Sequence, residues 1–183
     1  MSAKPYDDRT RSAVKNMVFT AMFAALIAVC SIISIPIGQV PVTLQTFAVC
    51  LTAAMLGWKR GALAVLVYIL LGAVGVPVFA GMTGGIGILA GPTGGYIIGF
   101  ILTSLIVGFA AERQHRKALP LAVSMVAGVL MCYVTGTIRF MAVTGMGLGE
   151  SLLLCVVPFL LFDAAKIALA VILSNRLSKV AAL

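Results

Sequence analysis

Charge is what this sequence has least of, and negative charge least of all. Five acidic and 13 basic residues are spread over 183 positions, so charged residues make up 10% of the chain. A soluble domain of this length carries about a quarter, roughly 46. The missing charge excludes a soluble globule, because 62% hydrophobic residues cannot be hidden inside so small a body. It excludes a disordered chain as well, which needs low hydrophobicity. Histidine is nearly absent, with His115 alone. Without histidines, the four cysteines Cys30, Cys50, Cys132 and Cys155 form no metal-ligand set. They sit in apolar stretches, in no CxxC pair, and read as small packing residues. A nucleophile–base pair is equally hard to assemble, so the composition points away from an enzyme. No nucleotide-binding loop is present, because the glycine-rich stretch has no following Lys-[Ser/Thr].

Long runs without charge are what remains. Asn16 to Trp58 is 43 residues with none, and 61–111 is another 51. One membrane-crossing helix needs about 20 residues, so each run must fold back. The break in the first falls in IPIGQVP, with Pro36, Gly38 and Pro41. The second breaks in GVPVFAGMTGGIGILAGPTGG, from Gly75 to Gly95. The spans then read 17–35, 43–58, 61–75, 94–111, 118–138 and 151–174, an all-α integral membrane protein of six transmembrane helices in one membrane domain. The run after Lys15 lacks a cleavage site followed by a soluble domain, so it reads as the first span and not as a removed leader.

The position of the basic residues orients these spans. With the N-terminus inside, segments 1–15, 59–60, 112–117 and 175–183 hold 11 of the 13 basic residues. That asymmetry is the positive-inside rule, and it places both termini in the cytoplasm. The net charge of +8 therefore reads as anchoring to the lipid bilayer and not as nucleic-acid binding. Trp58 beside Lys59 reads as an interface anchor. His115, in the ERQHRK cluster, reads as a solvated loop residue.

Candidate chemistry lies outside and inside the membrane. The 76–94 loop is glycine-rich yet apolar, and irregular backbone of that kind is tolerated where protein surrounds it. It is expected to cap an outward-facing pocket. Asp163 and Lys166 are the sharpest signal. They stand three apart on one helical face, well inside a span where ionisable groups are costly and usually functional. Together they offer acceptors and donors to a polar, planar group. Gln45, Thr46, Thr93 and Tyr96 are further polar candidates, and Arg139 is the lone basic residue on the outer side. Small residues recur at spacing four: Gly87, Gly91, Gly95 and Gly99, then Ala164 and Ala168. In the first span the pairs are Ala21/Ala25 and Ala24/Ala28. Such faces let helices pack closely, inside the bundle or against a partner.

Three stretches together carry a family resemblance: IPIGQVPVTLQTFAV at 35–49, GVPVFAGMTGGIGILAGPTGGYIIGF at 75–100 and PFLLFDAAKIALA at 158–170. The chain resembles the BioY family, the biotin-specific substrate-binding (S) components of energy-coupling factor transporters of bacteria and archaea. The resemblance implies biotin as the transported ligand, with no further cofactor. It implies Asp163 on a ureido N–H and Lys166 on the ureido carbonyl. The biotin carboxylate would sit nearer the mouth, with the 79–83 segment (Met82 and Thr83 included), Gln45 and Arg139 as candidates. Phe79, Tyr96 and Leu89 would wall the thiophane ring and methylenes. A transmembrane coupling protein (T component) would dock on Ala21/Ala25 or Ala24/Ala28, and two cytoplasmic ATPases would supply the energy. The alternatives are an S component for thiamine or riboflavin, and a membrane adaptor without a ligand. The single Trp and four Tyr are few for stacking a flavin.

Overall fold

The computed structural model describes residues 8–36, 40–114 and 117–180. His115 and the tip of the IPIGQVP turn lie outside the described residues. Helix α1 (Asp8–Ile32) leads through a short antiparallel pair, β1 (Ser34–Ile35) and β2 (Val42–Thr43), into α2 (Gln45–Ala73). The outer loop holds a one-turn 3-10 helix (Ala80–Met82) and α3 (Ile86–Ala90). Then come α4 (Gly94–Arg113), α5 (Ala118–Thr144), α6 (Leu148–Cys155) and α7 (Val157–Val180). Five of these, α1, α2, α4, α5 and α7, are long and apolar enough to cross a membrane.

Helix α2 contains both of the short expected spans, and it is not straight. Gly57 has φ 77° and ψ −179°, a backbone state open to glycine almost alone. The chain reverses there. Gly61 stands against the Cα of Ala53, where an added Cβ would come within 3.0 Å. The Gln45 amide donates to the Tyr68 hydroxyl, although 23 residues of straight helix would separate them by about 34 Å. Residues 45–56 and 58–73 are thus antiparallel limbs, and six membrane-directed limbs result. Glu112 ties the reversal to α4, since its carboxylate accepts the Trp58 backbone N–H at 3.3 Å.

Three expected spans shift by more than a turn. The fifth, read as 118–138, runs on to Thr144. The first span begins earlier, at Asp8, because nothing in DRTRSAVK breaks a helix before the apolar run. The last span, read as 151–174, is two helices that break at Val156. Pro158 has no N–H to donate, and its ring crowds the carbonyl of the preceding turn. At eight residues, α6 is too short to cross. The bundle is inverted relative to a soluble one. On α7, Leu161 is 80% exposed and Asp163 only 3%, as expected when lipid is the solvent.

The small-residue ladder is shared between two elements. Gly95 and Gly99 form a close α4–α5 seam, and a Cβ on either would meet α5 backbone or side-chain atoms within 2.5 Å. Gly87 belongs to α3 and has open space around it. Ala164 and Ala168 face outward on α7. In α1, Ala24 is buried at 2% and Ala28 packs inward, whereas Ala21 and Ala25 are exposed.

Candidate functional site

The centre of the site is the carboxylate of Asp163 on α7. Three elements aim donors at it. Lys166, one turn on, donates from Nζ to Oδ1 at 2.8 Å. Thr46, at the start of α2, donates to the same oxygen at 2.8 Å. Tyr133 of α5 donates its hydroxyl to Oδ2. Asp163 and Lys166 are 3% and 8% exposed, so this is a buried ion pair with added hydrogen bonds, the arrangement that offsets the cost of dehydrating both charges.

Counting the remaining capacity defines what the site can hold. A carboxylate has about four lone-pair positions and an ammonium three N–H bonds. Three lone-pair positions and one N–H are used. One acceptor position on Asp163 and two donors on Lys166 are left without partners among the described residues. The complementary ligand group presents an N–H beside a C=O.

A cavity of about 230 Å³ opens over this pair. Its polar floor is Thr46, Tyr133, Asp163 and Lys166, and Lys166 is the one basic residue among its described lining residues. Phe79, Ile88, Ile97, Phe100 and Phe159 are among its apolar walls, and Thr43, Gln45, Thr83, Thr93 and Tyr96 add further polar groups. Phe79 comes from the outer loop yet is 1% exposed. Its ring lies on Gly72, where a Cβ would stand 2.1 Å from a ring carbon. It also meets Tyr68 edge-on, centroids 5.6 Å apart. The loop is therefore seated as a lid, and the cavity lies at the end of the bundle opposite Lys59, Arg60 and Arg113.

Most of the residues singled out in the sequence meet here: Gln45, Thr46, Phe79, Thr83, Thr93, Tyr96, Asp163 and Lys166. Three do not line the cavity. Met82 is 61% exposed. Leu89 packs on the apolar cluster beneath the loop. Arg139 reaches away and donates from Nη2 to the Ala90 carbonyl, which pins the C-terminal end of α3. Long side chains at an edge can serve a loop as readily as a ligand, and spacing alone does not tell them apart. Tyr133 was missed. Its signal was a hydroxyl in the middle of an apolar span, where it needs a buried partner.

A family profile described as the BioY family matches residues 3–182. The Thermotoga maritima protein named biotin transporter BioY is 43% identical over 166 residues, covering 91% of this chain and 97% of its own. The Pyrococcus horikoshii protein named probable biotin transporter BioY is 40% identical, over 89% and 96%. A crystal structure of the S-component for biotin from an ECF-type ABC transporter superposes with a TM-score of 0.87. It is 27% identical and covers 96% of this chain and 95% of that one.

Proposed function

The chain belongs to the BioY family, and from that premise we propose that it takes up biotin by holding the ureido ring on Asp163 and Lys166. It is a multi-pass protein of the cell membrane and the biotin S component of an energy-coupling factor transporter. The observation that carries the site is the unused capacity of the buried pair. A cyclic urea is a planar group with N–H beside C=O. Asp163 accepts an N–H, and the Lys166 ammonium donates to the carbonyl. The thiophane ring and valerate methylenes lie against Phe79, Phe100 and Phe159. The carboxylate points to the mouth, toward the hydroxyls of Thr83 and Thr93. With Lys166 committed to the ureido end, it meets no second cation among the described residues that line the cavity.

Transport needs energy from outside the chain. The reading is a complex with a membrane-embedded T component and two cytoplasmic ATPases. The exposed stripe of α1 that could receive a helix is Ala21/Ala25, since Ala24 is buried and Ala28 packs inward. Small residues on the lipid side allow close backbone approach.

Isothermal titration of the detergent-purified protein tests the ligand. One biotin per chain is expected, with no displacement by thiamine or riboflavin. A biotin analogue with the ureido oxygen replaced by an imine supplies a sharper test, because that group is a guanidinium at neutral pH. It would bring a cation against Lys166, and its affinity is expected to fall at least about 100-fold, or 2.8 kcal/mol at 1.4 kcal/mol per decade. Equal affinity for both ligands would remove Lys166 from the ureido oxygen.

A further inference from the structure

Gly72 lies in the last turn of α2, and its backbone does not need a glycine. It is helical, and its φ is not among the positive ones. Alanine is the better helix former. What excludes a side chain is the lid. A Cβ on Gly72 would stand 2.1, 2.3 and 2.6 Å from three carbons of the Phe79 ring. Carbon atoms in good contact are about 3.5–4.0 Å apart. The ring is buried, and Tyr68, one turn before Gly72, packs on it edge-on. On that side it has no room to yield.

The same residue holds both ends of the loop. Its carbonyl accepts the backbone N–H of Gly75 at 3.1 Å and that of Gly85 at 2.7 Å. These two glycines flank the lid, 76–84. Within the lid, Phe79 donates its N–H to the Thr83 carbonyl at 2.9 Å. Phe79 and Thr83 both line the cavity, so this bond joins two parts of its roof. Gly72 is where the loop leaves the helix, where it returns, and where its one aromatic ring comes to rest.

Resting on the biotin reading above, we propose that Gly72 is a positioning residue for ligand retention. Its missing side chain is the seat that lets Phe79 close over bound biotin. With alanine there, α2 keeps its course, because the helix itself accepts the methyl group, but the ring cannot come down onto it. Tyr68 packs against the ring and biotin fills the cavity that the ring lines. With biotin bound, the ring therefore lifts outward and takes the lid with it. The wall beside the ligand's methylenes is lost and the mouth stays open. Capture requires an open mouth in any case, so the effect falls on release.

The test measures association and dissociation of labelled biotin for the full-length protein in lipid nanodiscs, with a spin label on Met82→Cys. Met82 is exposed on the lid, and the four native cysteines are buried. Gly72→Ala is expected to raise the dissociation rate about tenfold, with the association rate within about threefold. The label should become more mobile even without biotin. Phe79→Leu removes the outer ring carbons and makes room for the added methyl group. Gly72→Ala/Phe79→Leu should therefore release biotin no faster than Phe79→Leu alone and leave the label no more mobile, a coupling that two independent losses do not give. Additive effects, or an unchanged dissociation rate in folded Gly72→Ala, would overturn the proposal. If Gly72→Ala alone does not fold, recovery of folded protein in the double variant supports the proposal, and failure of both overturns it. If the unsubstituted protein binds no biotin, the ligand reading fails instead, and the label alone decides whether Gly72 seats the lid.

Discussion

Replacing Asp163 by asparagine is expected to remove biotin binding from titration at micromolar concentrations while leaving a folded protein. The carboxylate accepts from Thr46, Tyr133 and Lys166. An amide offers one acceptor oxygen and turns an NH2 group toward groups that were donating. Lys166 is then a buried cation with no counter-charge. Removing one member of a buried pair costs the fold about 3–5 kcal/mol. The same substitution deletes the charged acceptor for the ureido N–H and turns a donor toward it, so affinity is expected to fall by at least two orders of magnitude, about 2.8 kcal/mol at 1.4 kcal/mol per decade. Titration calorimetry gives the affinity and thermal unfolding in detergent gives the stability.

Replacing both charges separates structure from function. In Asp163→Leu/Lys166→Leu no charge is stranded, and an apolar pair of similar volume in place of a buried ion pair is often neutral or stabilising. The melting temperature should therefore recover relative to Asp163→Asn, while binding stays absent. A ligand-free membrane adaptor would keep its function in the double variant. A protein that retained biotin affinity there would take the ureido ring off α7 altogether.

The pair was legible in sequence for a physical reason. Ionisable groups inside a long apolar run are expensive, so Asp163 and Lys166 stand out from the residues on either side of them. The same cost made the basic residues report orientation, and Lys59–Arg60 located the cytoplasmic reversal between the second and third spans. Residues that act through neutral hydrogen bonds left weaker traces. Tyr133 and Tyr68 are ordinary aromatics in apolar helices until a partner from another element is placed beside them, and Gln45–Tyr68 and Tyr133–Asp163 are pairs distant in sequence. Arg139 left the opposite kind of trace. A lone outer cation suggested an anion, but a guanidinium serves a helix-end carbonyl equally well, and Ala90 is closer to hand. Helix ends were also blurred. Pro158 is compatible with either the first turn of a helix or a loop, so it does not by itself place the break at Val156. The reversal in α2 turns on one glycine among 19.

That glycine carries the second large effect, and its sign decides the topology. In the middle of a straight helix, Gly57→Ala would stabilise the protein by about 1 kcal/mol, because alanine loses less backbone freedom. Here Gly57 has φ 77° and ψ −179°, and a side chain in that region costs about 1–3 kcal/mol. An added Cβ would also stand 2.0 Å from Glu112 Oε1. The carboxylate is an exposed, flexible end and can swing aside, at the loss of its bond to the Trp58 N–H. The backbone strain has no such escape. Gly57→Ala is therefore expected to lower the melting temperature and the yield of monodisperse protein. Glu112→Ala alone should cost less than about 1 kcal/mol, as an exposed contact does. Gly57→Ala/Glu112→Ala should regain only the part due to the clash. A rise in stability for Gly57→Ala would mean that α2 runs straight. In that case Gln45 and Tyr68 could not meet, and the second and third spans would be one.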